Sequence, residues 1–184
     1  MEAFASDVIE RYGRIDFLIN NATLSRKGIL SRCSYEDFMY VQQVGVGAPY
    51  FLTMLLQDHF NEGGAIVNIG STRGDMSQID TESYSASKGG IVSLTHALAV
   101  SLGGKVRVNA ISPGWIDTLD SKLSDADKSQ HPVKRVGVPL DIVKMAMFLC
   151  SNDSSFITGQ NIVVDGGMSK QMIYHGDGGW KYQK

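Results

Sequence analysis

Residues 65–71 read AIVNIGS and residues 83–102 read SYSASKGGIVSLTHALAVSL. The first is a short apolar run closed by a glycine, the pattern of a strand buried on both faces. The second carries Ile91, Leu94, Leu98 and Leu102 on one helical stripe. The same alternation continues outward from this pair. Residues 15–20 (IDFLIN), 105–111 (KVRVNAI) and 160–165 (QNIVVD) read as three further strands. Residues 2–12 space Phe4, Val8, Ile9 and Tyr12 at helical intervals until Gly13 stops the pattern. Residues 139–150 (PLDIVKMAMFLC) read as a helix with proline in its first turn. Residues 35–60 are apolar at many positions but hold Gly45, Gly47 and Pro49, so a helix there must kink or restart. Strand and helix alternate four times, which predicts an α/β fold: a parallel sheet with helices on both faces, in one domain spanning 1–184.

Composition narrows the classes of function. The 184 residues carry 17 Lys and Arg against 19 Asp and Glu, a net charge of −2. That balance argues against a polyanion binder, which shows a basic patch or stripe. No stretch approaches the ~18 apolar residues of a membrane span. Glu2, Asp7, Glu10 and Asp16 are foreign to a signal peptide. Cys33 and Cys150 cannot build a disulfide framework and are expected to be free thiols in a reducing cytoplasm. His59, His96, His131 and His175 lack ligand spacing, so no metal site is expected. Twenty glycines, about 11% against a usual ~7%, imply many tight turns or close backbone approaches.

Ligands of a parallel sheet bind beyond the carboxyl ends of its strands. The residues there are Asn20-Asn21-Ala22, Ser71-Thr72-Arg73, Ser112-Pro113-Gly114 and Gly166-Gly167. Tyr84 and Lys88 lie four apart on the predicted helix and share a face, and Ser71 follows the strand beside the start of that helix. An ammonium about 4 Å from a phenol favours the phenolate by up to ~4 kcal/mol at an effective dielectric near 20, and desolvation opposes it. Such a tyrosine can pass a proton to or from an alcohol or ketone oxygen, with a serine hydroxyl holding that oxygen. On spacing alone, the same three residues also read as a solvated helix pair and a turn serine.

Five ordered motifs add to this reading. Asn20-Asn21-Ala22 is similar to an NNAG motif, and 66–71 (IVNIGS) to a strand ending in a catalytic serine. Tyr84 and Lys88 form a YxxxK pair 13 residues after that serine. Residues 108–114 (VNAISPG) with Thr118 are similar to NxxxPGxxxT, and Thr158-Gly159-Gln160 with 164–167 (VDGG) to TGQ…VDGG. In these motifs the chain resembles the short-chain dehydrogenase/reductase family over nearly its whole length. The resemblance implies a Rossmann-like doubly wound sheet. It also implies an oxidoreductase that interconverts an alcohol and a ketone or aldehyde with NAD or NADP. Tyr84 would be the general acid/base. Lys88 would lower its pKa and hold the nicotinamide ribose, and Ser71 would orient the carbonyl. Asn20, Ala22, Pro113, Gly114, Ile116 and Thr118, together with Tyr84 and Lys88, would bind the cofactor. Residues 117–138 would be a substrate lid and 168–184 a C-terminal tail whose Tyr174, Trp180 and Tyr182 pack on a neighbouring subunit. The expected partners are a small carbonyl or alcohol substrate and further copies of the chain, with no nucleic acid and no membrane.

The chain departs from the family pattern in three places. The family opens with strand–TGxxxGxG–helix and two more βα units, whereas Gly13 is the only glycine ahead of Asn20. This predicts that the chain holds the last four of seven strands, ordered 3-2-1-4-5-6-7, and lacks roughly 70 leading residues that carry the pyrophosphate turn. Its first strand would be an exposed apolar edge, covered by a separately supplied front half or by self-association. Gly45 stands where the family has a catalytic asparagine, leaving the proton relay to solvent, Gln42 or Gln43. Thr23 stands where NNAG has glycine. With these departures, the rival reading is a fragment that keeps the fold and acts as a binding or regulatory module.

Overall fold

Alanine, valine and isoleucine fill the centre of the sheet. Ala65, Ile66 and Val67 on one strand, and Val108, Ala110 and Ile111 on the next, are all but sealed from solvent. The computed structural model describes residues 1–181; Tyr182, expected to pack on a neighbour, lies outside them. Among these residues four strands form one sheet: β1 (Ile15–Asn20), β2 (Phe60–Ile69), β3 (Val106–Pro113) and β4 (Asn161–Val164). They lie side by side in chain order, every pairing parallel. β2 starts five residues ahead of the strand expected at 65–70. Phe60 pairs with Ile15 before a register shift in β1, and its ring is fully buried. The polar NEGG that follows hides this start from a hydrophobicity reading.

The helices cover both faces, as the alternation requires. On one face α1 (Glu2–Tyr12), α2 (Tyr35–Gln42), α3 (Ala48–Leu56) and α4 (Glu82–Ser101) gather. Ala5, Leu56, Phe60, Ile66, Ala99, Val106 and Val108 form the core there. On the other face α6 (Pro139–Cys150) packs Leu149 against Val67 and Ile111. Arg107 of β3 fastens that helix, donating to the carbonyls of Leu149, Ser151 and Ser154 at 2.8–3.2 Å. This satisfies carbonyls that a helix C-terminus leaves unpaired. Gly13 closes α1 at φ 71°, a conformation that costs glycine nothing.

Pro49 explains the break between α2 and α3. It has no N–H, so the Gly45 carbonyl has no donor four residues on, and the helix widens into a π turn over Gln43–Gly47. There the Ala48 N–H reaches back five residues to Gln43. α4 buries a stripe of small and polar residues: Ser83, Ser87, Ile91, Thr95 and Ala99. Leu94, Leu98 and Leu102, expected to lead that stripe, flank it half-buried. The small stripe lets α4 approach the sheet closely enough for side-chain hydrogen bonds. Asn20 donates to Asn68 Oδ1 at 2.8 Å, and Asn68 donates to Thr95 Oγ1 at 2.9 Å, so β1, β2 and α4 share one polar ladder.

β1 stands at the sheet edge. Phe17 and Ile19 point to the face that carries α6 but lie beyond its reach, and are 50% and 51% exposed. No helix among the described residues is long and apolar enough to cross a membrane.

Replacing Asn68 by alanine is expected to destabilise the chain by about 1–3 kcal/mol, because its buried partners lose their hydrogen bonds. A urea midpoint indistinguishable from that of the parent chain contradicts this account of the ladder.

Candidate active site

β2 ends at Ile69, and the chain leaves the sheet through Gly70 and Ser71. Gly70 is needed for the exit, since a Cβ there would stand 2.7 Å from Ser112 Oγ. Ser71 is extended (φ −169°, ψ 153°) and caps the short turn Thr72–Gly74, its Oγ accepting the Arg73 N–H at 3.1 Å. That contact uses a lone pair and leaves the Ser71 proton free to donate. The turn lies against α4, for a Cβ at Gly74 would meet the Lys88 carbonyl oxygen at 3.0 Å.

The start of α4 is fixed by residues other than Ser71, Tyr84 and Lys88. Ser83 Oγ donates to the carbonyls of Arg26 and Lys27 at 3.0 and 2.7 Å. Glu82 accepts the Ile29 N–H at 3.2 Å, and Asp80 accepts those of Leu30 and Ser31 at 3.0 Å. The Ser31 hydroxyl and N–H together hold the Asp80 carboxyl below the usual carboxylate range. Gln42 donates to the Ser83 carbonyl at 2.9 Å. Tyr84 and Lys88 therefore rise from a helix end that is tied on two sides.

Lys88 is 3% exposed, and its Nζ donates to the Ile69 carbonyl at 2.7 Å. The same Nζ lies 5.5 Å from the centre of the Tyr84 ring. Burial pushes its pKa down to about 8. A second cation is also near the ring, with Arg73 Cζ 5.8 Å from its centre.

Gly45 is explained by its neighbour. A Cβ at position 45 would stand 1.9 Å from Ser87 Oγ, which is buried without a hydrogen-bond partner. The serine hydroxyl fills the volume that a side chain at 45 would need. The Gln42 amide donates to the Ser83 carbonyl, and Gln43 is exposed.

Two cavities meet over these groups. The first, about 830 Å³, runs along the strand ends and the flank of α6. Ile19, Asn21, Thr23, Ile69, Lys88, Pro113 and Thr118 line it. The second, about 590 Å³, is lined by Arg73, Gln78, Trp115, Gln130 and Met168. Four residues belong to both: Ser71, Tyr84, Gly114 and Ile116. Gly114 is required at this junction because a Cβ would stand 2.9 Å from Asp165 Cα. Of the residues expected at the site, Ser71, Tyr84, Lys88, Pro113, Gly114, Ile116 and Thr118 line the cavities. Asn20 and Ala22 do not, and the Asn20 side chain is engaged with Asn68. Asn21 and Thr23 take their place on the wall. Arg73 was among the strand-end residues where a ligand is expected, without an assigned role; Gln78, on the loop before α4, carries no sequence signal of its own.

Residues 117–138 form a loop closed at its neck by a bridge between Ile116 and Gly137. The loop contains a short helix, α5 (Asp125–Ser129), in a stretch that reads as irregular from sequence. Arg135 grips Asp141 with two contacts, 2.6 and 2.8 Å, tying the end of the loop to the start of α6. The Arg135 hydrogen bonds pull the Asp141 carboxyl down to about 2. His131 packs inside the loop, its ring centre 6.3 Å from that of Trp115.

A family model described as Enoyl-(Acyl carrier protein) reductase matches residues 1–169. An uncharacterized oxidoreductase of Thermotoga maritima is 46% identical over 180 residues, which cover 90% of this chain and 70% of the relative. The structure of an apo SCOR enzyme from Clostridium thermocellum superposes with a TM-score of 0.92 at 48% identity, covering 100% of this chain and 74% of that one. A blue fluorescent protein from a metagenomic library, in complex with NADPH, superposes with a TM-score of 0.83 at 29% identity, covering 91% of this chain and 70% of that one. The chain belongs to the short-chain dehydrogenase/reductase family. It is an oxidoreductase of that family.

Two outcomes follow from the site's packing. Gly45→Ala is expected to cost about 1–3 kcal/mol through overpacking. Ser87→Ala alone is expected to be near neutral, since the hydroxyl has no partner, and adding it to Gly45→Ala returns most of the loss. Additive effects in a double-mutant cycle contradict the pairing. The second outcome concerns pH. The Lys88 amine gives up its proton near pH 8 when folded and near 10.5 when unfolded. Between these values the unfolded chain binds more protons, so stability rises with pH, by at most about 3 kcal/mol. Lys88→Met is expected to flatten that rise in urea midpoints taken from pH 7.5 to 10.

Proposed function

We propose that the chain interconverts an alcohol and a ketone or aldehyde, with Tyr84 as general acid/base, Ser71 as carbonyl-orienting donor and Lys88 as the cation beneath the phenol. The observation that carries this is the junction. Ser71 and Tyr84 line both an apolar cavity holding Lys88 and a second, more polar one. One cavity suits the cofactor and the other the substrate, with the two hydroxyls between them.

The first cavity fits the nicotinamide end of the cofactor. It is a slot with apolar walls at the strand ends, and it holds one cation and no carboxylate. Its volume lies within the range of ~300–1,000 Å³ usual for small-molecule sites. Lys88 and Tyr84 would hold the ribose, Pro113, Gly114 and Ile116 the carboxamide, and Thr118 the amide or phosphates. NAD(P)(H), when bound, supplies or accepts the hydride. Ser71 keeps its proton available because its oxygen already accepts from Arg73, and so donates to the substrate oxygen. In reduction Tyr84 gives its proton to that oxygen as the carbonyl becomes an alcohol; in oxidation it takes the proton back. Lys88, anchored on Ile69, keeps a positive charge beside the phenol below about pH 8 and so favours the tyrosinate left after transfer. Residues 117–138 act as the lid that covers the second cavity and excludes water.

The test is turnover of a panel of small ketones and alcohols, followed at the nicotinamide absorbance, with NAD(P)H fluorescence titration alongside. Tyr84→Phe is expected to lower kcat by about 10²–10⁴-fold, the usual worth of a placed acid/base, while micromolar cofactor binding persists. Unchanged turnover in Tyr84→Phe overturns the role given to the tyrosine. Failure of the chain to bind NAD(P)H at millimolar concentration favours the binding-module reading instead.

A further inference from the structure

Arg73 is the one formally charged residue lining the second cavity, and no carboxylate lines either cavity. Its position is built. The Thr72–Gly74 turn that carries it is capped by Ser71. One guanidinium nitrogen donates to the Gln78 side-chain oxygen. The guanidinium carbon sits 5.8 Å from the centre of the Tyr84 ring, which faces it with π density. Among the described residues no carboxylate pairs with it, whereas Arg11, Arg26 and Arg135 each have one. A guanidinium carries five N–H donors in a planar fork, and Gln78 takes only part of that capacity. A half-buried cation with donors to spare, on the wall shared with the proton-transfer hydroxyls, is suited to an anion that arrives with the substrate.

We infer that Arg73 is a specificity residue that binds a carboxylate of the substrate, so that the preferred substrates are small hydroxy acids or keto acids rather than neutral esters or thioesters. The inference rests on the reading of Ser71 and Tyr84 as the carbonyl site. With the carbonyl oxygen on those two hydroxyls, substituents a few bonds away extend into the second cavity, where Arg73 meets them. The positive field of Arg73 also draws the anionic form into a cavity without competing negative charge. Trp115, on the same wall, provides a reporter.

The experiment is a binding titration of the 184-residue chain carrying Trp180→Phe, read by Trp115 fluorescence, with 4-oxopentanoate and its methyl ester as probes. The acid is expected to bind at least tenfold more tightly than the ester. Arg73→Gln is expected to lower that acid-to-ester ratio at least tenfold, and Arg73→Lys to keep part of it, because a lysine retains charge without the fork. Raising the salt concentration is expected to weaken the acid more than the ester. Equal binding of the two probes, binding of neither, or an equal loss for both in Arg73→Gln overturns the inference; the last result would mark Arg73 as merely structural. A kinetic arm separates this inference from the reading beneath it. Turnover of neutral ketones that depends on Tyr84 but shows no acid preference sinks only the role of Arg73. Turnover indifferent to Tyr84→Phe sinks the carbonyl site itself.

Discussion

The site depends on where one ammonium group is allowed to sit. Lys88 is buried at the wall of the first cavity, anchored on the last carbonyl of β2, with its Nζ 5.5 Å from the centre of the Tyr84 ring. Burying a charge is unfavourable unless it is paired or hydrogen-bonded, and one carbonyl offsets only part of that cost, which is why the amine loses its proton more easily than a surface lysine. The rest of the structure maintains this position. The small stripe of α4 lets the helix lie close to the sheet, and the Asn20–Asn68–Thr95 ladder locks its distance. The loop at 26–31 fixes its first turn. A lysine held in this way keeps its charge at neutral pH and has little freedom to leave the phenol.

Much of this was legible in the sequence because the signals are local. The span of β1 and the spans of α1 and α6 follow from short apolar runs and from Gly13 and Pro139 at their ends. Tyr84, Lys88 and Ser71 are ambiguous on spacing alone and stand out because ordered motifs flank them along the chain. What stayed hidden depends on contacts distant in the chain. The early start of β2 needs Phe60 to find Ile15. The stripe of α4 runs through Ser83, Ser87 and Thr95 because the partner surface is close, which no hydrophobicity pattern reveals. Asn20 looks like a ligand-facing residue at a strand tip, yet its amide is satisfied by Asn68 on the neighbouring strand. Arg73 is one of several residues after a strand end, and its place beside Tyr84 on the wall of the second cavity shows only in three dimensions.

Gly45 shows how a departure from a family pattern acquires a physical reason. The π turn imposed by Pro49 brings position 45 against α4, and Ser87 already occupies the space. An asparagine there and a serine hydroxyl at 87 compete for one volume. The two cavities divide their work by charge in the same economical way. Each holds a single cation, Lys88 in one and Arg73 in the other, and their charged ends lie 5.5 and 5.8 Å from the centre of the Tyr84 ring.

The most direct measurement is an NMR titration of the chain labelled with ¹³C at the lysine ε-carbons, with the Lys88 signal assigned by its absence in Lys88→Met. This signal is expected to titrate near pH 8 while the surface lysines follow near their usual ~10.4. A Lys88 signal that titrates together with the surface lysines would show that the amine stands in water, and the arrangement described around Tyr84 would not hold.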